Sequence, residues 1–300
     1  TSRIVEEIER IGDDRSYVGR EALASDARMA VPEAETRTTW LDRARERDAR
    51  YDVLEQTADG HTGAIAVLER GAGPTVALRV DIDGLYIEES TDGSHAPAAA
   101  GFRSETGETM HACGHDAHAA IGIGVLDTVA ASDFAGTFKV LFQPAEEQVG
   151  GGRAMAESGH LDDVDFLLAV HVGLDHPTGE VVAGIDVSHF DASFAGESAH
   201  AGAHPEDGRN AVQAMASAVQ NLYGIARHDG GATRVNVGPV GGGTATNIVP
   251  ESAFVEGEVR GETTDLMEYM RERADVVLEN AADMHDCEVD VETVGEAPSA

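Results

Sequence analysis

Three hundred residues suffice for one large domain or two moderate ones, with cores that need no disulfide or metal staple. Fifty-five acidic residues against 21 basic ones give a formal charge of -34, which repels nucleic acid and anionic membranes and excludes both as main partners. No apolar run is long enough to span a bilayer and the first residues, TSRIVEEIER, are charged, so a cytoplasmic protein without a signal peptide is expected. Lys139 is the only lysine, and the acidic residues run through the whole chain instead of forming a tail. Like charge at that density calls for strong screening by salt, a halophile-like composition. Two cysteines, Cys113 and Cys287, make no disulfide framework, and Cys113 lies inside a histidine cluster, which reads as metal chemistry in a reducing compartment.

In chain order, the first half alternates strand and helix signals. The runs TVALRV (75–80), TFKVLF (137–142) and DFLLAVHV (165–172) are short and apolar, as expected of strands buried on both faces. Between the first two, HAAIGIGVLDTVA (118–130) has the spacing and length of a helix. This alternation predicts an α/β catalytic domain over 1–185, a mostly parallel sheet with helices on both faces and a site at the carboxyl ends of the strands. Near Gly184 the tempo changes. A strand (187–196), a helix (208–228), two strands (233–240 and 252–260), a helix (263–284) and a last strand (286–294) follow in the order βαββαβ. That order is the ferredoxin-like unit, and it places a second, smaller domain over 186–296.

The residues that carry chemistry fall at the ends of the predicted strands. His111, Cys113, His115 and His118 lie within eight residues of MHACGHDAH (110–118), and thiolate plus imidazole donors suit zinc or a neighbouring first-row metal. Glu146 and Glu147 follow a buried strand and Pro144, so two adjacent carboxylates leave one turn in different directions. One can bind a metal while the other handles the proton of a nucleophilic water. His171 ends an apolar run, as a ligand or as a satisfied core histidine. Asp81 and Asp83 end TVALRV, where either could orient a ligand histidine or cap a turn. Their convergence on strand ends favours a site over four separate accidents.

These motifs resemble the M20 family of metallopeptidases and amidohydrolases, in its N-acyl amino acid hydrolase branch. That branch carries RADMDALP, MHACGHDGH and FQPAEE, which read here as LRVDIDGLY, MHACGHDAH and FQPAEE. In the second domain GESAHAGAHPEDGRNA, RVNVGPVGGGTATNIVP and EVRGETTDLMEYM are similar to the aminobenzoyl-glutamate-cleaving type of the branch, and the likeness runs through nearly the whole chain from Thr75.

The resemblance implies that Cys113, His115, Glu147 and His171 bind two divalent ions per subunit, zinc or manganese, with Cys113 as the bridge. It implies Glu146 as the general base and Asp83 as the aspartate that orients a ligand. His200 would steady the oxyanion of a site across a dimer, and Asn247 and Arg260 would hold the substrate's amide and carboxylate. A last histidine ligand is implied from a segment beyond the small domain, and no histidine follows His285 in these residues. HAGAHP (200–205) lacks the Pro-His order of the wider family, a departure that touches His204 and not His200. The expected activity is cleavage of an N-acyl or N-aroyl amino acid by a homodimer, or by a heterodimer with a related subunit, paired through the small domain. A general aminoacylase or carboxypeptidase-like peptidase, and a non-catalytic subunit with a partial metal site, are the competing readings.

Overall fold

A computed structural model describes residues 1–173, 179 and 184–298, and the chain divides into two compact units, Thr1–Glu180 and Val181–Ala300. The first unit runs α1 (Ser2–Ile11), β1 (Arg15–Val18), α2 (Ala34–Glu46), α3 (Tyr51–Gln56), β2 (Ala64–Glu69) and β3 (Thr75–Asp81). It continues with α4 (Ala96–Ala100), α5 (His115–Ala130), β4 (Thr137–Gln143), α6 (Gly151–Ala156) and β5 (Phe166–Ala169).

Its sheet has the order β1-β2-β4-β3-β5. β3 is parallel to β4 and β5, whereas β2 is antiparallel to both β4 and β1, so β2 alone opposes the common direction. Sequence patterning anticipates β3, β4 and β5 and leaves out the other two. β1 is four residues long and carries Arg15 and Ser16, and β2 is built partly of alanine, a weak strand former.

Both faces of this sheet are covered. On one, Val5 and Ile8 of α1 and Leu126 of α5 pack on Leu78, Val80, Val140 and Phe142. On the other, Ala154 and Met155 of α6 join Leu23, Ile65, Val67 and Leu141. β5 corrects one expectation, for instead of being buried on both faces its Phe166, Leu167 and Leu168 are 64, 52 and 59 % exposed. The reason is its place at the sheet edge, paired to β3 alone and ending at Ala169.

The second unit follows the expected order, with β6 (Asp186–Ala195), α7 (Ala211–Leu222), β7 (Thr233–Gly242), β8 (Ser252–Gly261), α8 (Thr264–Asp283) and β9 (Glu288–Ala297). Its strands form an antiparallel sheet, β7-β8-β6-β9. Phe190, Phe194, Val255 and Val259 meet Ala214, Ala218 and Leu222 of α7 and Met270, Ala274 and Leu278 of α8. α7 is shorter at both ends than 208–228. It starts where the Asn210 side chain accepts the Gln213 N–H, a cap that satisfies an otherwise orphaned donor, and it stops just before Gly224.

α5 carries the histidine motif at its start, and its depth on the sheet is set at Gly122. A β-carbon there would lie 2.9 Å from Val80 Cγ2 and 3.0 Å from Phe142 Cε1, both on strands that lead to the motif residues. Gly122→Ala gains helix propensity, about 1 kcal/mol, against this overlap, whereas Gly122→Val adds overpacking to a β-branched side chain. Gly122→Val is expected to destabilise the first unit by about 1–3 kcal/mol, read from urea unfolding. An unchanged midpoint would contradict the close approach.

Candidate metal centre

Because β3, β4 and β5 are parallel, their carboxyl ends open on one side of the sheet, the edge at which open α/β sheets place their sites. β3 delivers Asp81 and Asp83, β4 runs through Pro144 to Glu146 and Glu147, and β5 leads to His171. α5 begins at His115, two residues after Cys113.

Asp83 joins these segments. One carboxylate oxygen lies 3.1 Å from His115 Nδ1 and the other accepts the Glu147 backbone N–H at 3.0 Å. A carboxylate is an acceptor only, so the His115 proton belongs on Nδ1 and the Nε2 lone pair is free. His115 is 1 % exposed, its Nε2 has no hydrogen-bond partner, and Glu146 Oε2 and Glu147 Oε1 each lie 3.8 Å from it. A buried lone pair that faces two carboxylates is unfavourable unless a cation stands between them.

The donors around that atom suit a metal. Cys113, His115 and Glu147 offer one ligand atom each within 4.8 Å of one another, a soft-and-hard set that accepts zinc and its first-row neighbours. The Cys113 thiol is pushed up to about 11 by its hydrogen bond to Glu147, by burial, and by the nearby Glu147, Glu146 and Asp83 carboxylates. A cation would have to displace that proton, which makes binding proton-linked.

A second group, Asp81, His115, His118 and His171, satisfies the same 4.8 Å condition and shares His115 with the first. His171 is therefore brought to the site, with its ring centroid 5.5 Å from that of His115. Asp81 and His118 are both fully buried. Burial raises Asp81 to about 6 against the pull of Arg79, whose guanidinium lies 2.5 Å away. Burial and the neighbouring His171 and His115 rings lower His118 to about 4, so its imidazole is neutral at physiological pH. His118 belongs to the donor cluster read from the sequence but not to the ligand set that the resemblance implies, and its i, i+3 spacing from His115 puts both at the start of one helix.

The turn that presents the two glutamates is tight. Ala145 takes a left-handed backbone at φ 53°, and Gly150 N–H closes back on Ala145 O at 2.9 Å. A non-glycine residue in that region is strained, as is common where side chains are aimed at a site.

In the second unit His200 and Asn247 lie together. His200 pairs with Ile248 across an isolated bridge, and Asn247 O accepts the Ala201 N–H at 3.0 Å. His200 Nδ1 accepts from the Gly202 and Ala203 N–H groups, both at 3.1 Å, so the proton sits on Nε2 as an outward donor. Arg260 is not beside them. It stands near the far end of β8, eight residues from Ser252 and so about 27 Å along the strand, and both arms of its guanidinium hold Glu258 at 2.9 and 2.8 Å. His204 is exposed, with Glu206 3.8 Å away.

Removing the shared carboxylate tests the site as built. Asp83→Ala is expected to lower zinc affinity about 10–100-fold, measured by competition with a chromophoric chelator, because it frees both the His115 ring and the Glu147 turn. Wild-type affinity would show that Asp83 orients nothing.

The sequence pattern of Peptidase family M20/M25/M40 matches residues 77–286. The chain is 44 % identical over 306 residues to the indole-3-acetyl-aspartic acid hydrolase of Enterobacter agglomerans, covering 100 % of this chain and 70 % of that protein. It is 41 % identical over 304 residues to the A subunit of the p-aminobenzoyl-glutamate hydrolase of Escherichia coli, at 99 % and 70 % coverage. Its fold matches the crystal structure of an aminobenzoyl-glutamate utilization protein from Klebsiella pneumoniae with a TM-score of 0.83 and 36 % identity, over 100 % of this chain and 70 % of that one. With a divalent-metal donor set gathered at the strand ends and this extent of likeness, the chain belongs to peptidase family M20/M25/M40, as a metal-dependent amidohydrolase.

Proposed function

We propose that this chain hydrolyses the amide bond of an N-acyl or N-aroyl amino acid whose amino-acid part is acidic, of the aminobenzoyl-glutamate or indole-acetyl-aspartate type. The observation that carries the reading is the unpartnered, buried His115 Nε2 facing Cys113, Glu146 and Glu147. The acidic amino acid is supported by the two relatives named for aspartate and glutamate conjugates, both of which also carry an aromatic acyl group.

Cys113, His115, Glu147 and His171 would hold two divalent ions, zinc or manganese, which when bound supply Lewis acidity to the reaction. Glu146 is the base in this reading. Its side chain is 36 % exposed and within 3.8 Å of the His115 lone pair, open to solvent on one side and to the donor set on the other. It takes a proton from the attacking water, the carbonyl carbon–nitrogen bond breaks, and the same carboxyl returns the proton to the leaving amine. Across a dimer, His200 would present its Nε2–H to the developing oxyanion at the paired subunit's site, with Asn247 beside it on the substrate amide. Arg260 would take the substrate's carboxylate, which must displace Glu258 from the guanidinium fork.

The domain over 186–296 is proposed as a dimerisation or lid domain, pairing two copies or this chain with a related subunit. Support comes from the open edge of β7 and from the Escherichia coli relative, whose name makes it one subunit of its hydrolase. We place the enzyme in the cytoplasm of a salt-adapted cell. No helix among the described residues is long and apolar enough to cross a membrane, and the formal charge of -34 calls for screening.

Glu146→Gln is expected to retain wild-type metal content and to lose about 10²–10⁴-fold in kcat on p-aminobenzoyl-glutamate in molar salt. Turnover within a few-fold of wild type in the metal-loaded variant would remove Glu146 from the chemistry. Equal kcat/KM on p-aminobenzoyl-glutamate and its neutral leucine counterpart would remove the acidic amino acid from the reading.

A further inference from the structure

Of the four groups that cluster as Asp81, His115, His118 and His171, His118 stands apart in its hydrogen bonding. Its Nε2 accepts the backbone N–H of Val172 at 2.9 Å. That bond fixes the tautomer, since an accepting Nε2 leaves the ring proton on Nδ1. Nδ1 is buried, lacks a hydrogen-bond partner and faces Asp81 Oδ2 at 3.9 Å. A protonated nitrogen turned towards a carboxylate is not a metal donor, so neither ring nitrogen is free to ligate.

The Val172 bond matters because of where it falls. The β3–β5 ladder ends with Ala169 opposite Arg79, and Val170 N–H reaches Arg79 O at 3.2 Å. Past that point, the His118 bond is what ties the backbone at residues 171–172 to another segment, among the described residues. Two packing contacts agree with it. The His118 ring lies edge-on to His171 with centroids 4.4 Å apart, and the Val172 side chain sits so close to Gly114 that a β-carbon there would be 2.9 Å from Val172 Cγ2. His171 in turn places its Nδ1 2.7 Å from Val172 O, leaving its other nitrogen free.

We propose that His118 is a positioning residue and not a metal ligand: by accepting the Val172 amide it seats the 171–172 backbone so that the His171 imidazole faces the site. This rests on the reading above that His171 is a ligand. His118 thereby couples the start of α5 to the end of β5, the strand with the least cover of the three that deliver site residues.

The test uses three substitutions in the 300-residue chain. His118→Gln keeps an acceptor near the position of Nε2, His118→Asn keeps a polar atom only near Nδ1, and His118→Phe keeps the ring alone. Two readouts are taken, hydrogen exchange of the Val172 amide in metal-free protein, and zinc stoichiometry and affinity by chelator competition. Val172 exchange is expected to accelerate at least about tenfold in the Asn and Phe variants, with the weaker zinc affinity lowered about 10–100-fold, and both are expected to return towards wild type in the Gln variant. Unchanged exchange in His118→Phe would overturn the seating role. So would loss of a whole zinc equivalent in all three variants, Gln included, which would make His118 a ligand. His171→Ala, measured alongside, separates the two layers. If it binds zinc as wild type does, the reading of His171 fails; if it loses zinc affinity while His118→Phe does not, only the proposal for His118 fails.

Discussion

The first unit's site depends on one carboxylate. Asp83 spans the His115 imidazole and the Glu147 backbone amide, and so ties the end of β3 to the start of α5 and to the turn after β4. A single ionised group with two oxygens accepts two donors at once, and charge-assisted bonds of this kind are about twice as strong as neutral ones. Its effect is directional as much as energetic. By fixing the proton on His115 Nδ1 it turns Nε2 towards Cys113, Glu146 and Glu147, where a buried lone pair has no protein partner. The rest of the unit supplies backing, with α5 pressed on the sheet at Gly122 and the glutamate turn closed at Ala145.

The other side of the site is held differently. His171 follows a four-residue edge strand whose apolar side chains are more than half exposed, and its backbone is tied by the His118–Val172 bond. The centre is thus stiff where His115, Cys113 and Glu147 meet and more lightly supported where His171 arrives. Local stability of this uneven kind is common in binding sites, since it follows from how many buried contacts each segment makes.

Much of this was legible in the sequence, for identifiable reasons. β3 and β4 are apolar runs that end at acidic or polar residues, so both the strands and the positions of Asp83, Glu146 and Glu147 follow from pattern. The βαββαβ order of the second unit follows from strong alternation and well-capped helices. What was not legible is what depends on long-range pairing. β2 pairs with the edge of β4 and β1 in turn with β2, partnerships that local pattern does not show, and β5 looks like a buried strand because its apolar composition does not report who covers it. Asp81 and His118 were legible as candidates at the strand and helix ends, but not in a particular role, because their surroundings rest on burial and on one hydrogen bond from a residue more than fifty positions away. The pairing of Arg260 with Glu258 is a two-residue spacing on one strand face, readable in principle as period-two alternation.

The central claim is that the strand-end residues form a metal centre with a sulfur donor. X-ray absorption of the zinc-loaded chain tests it most directly, since a zinc–thiolate bond scatters at about 2.3 Å and is resolved from nitrogen and oxygen at about 2.0–2.1 Å. The account predicts a sulfur shell at that distance that disappears in Cys113→Ser while the nitrogen and oxygen shell persists. A spectrum with no sulfur contribution, or one that Cys113→Ser leaves unaltered, would contradict it.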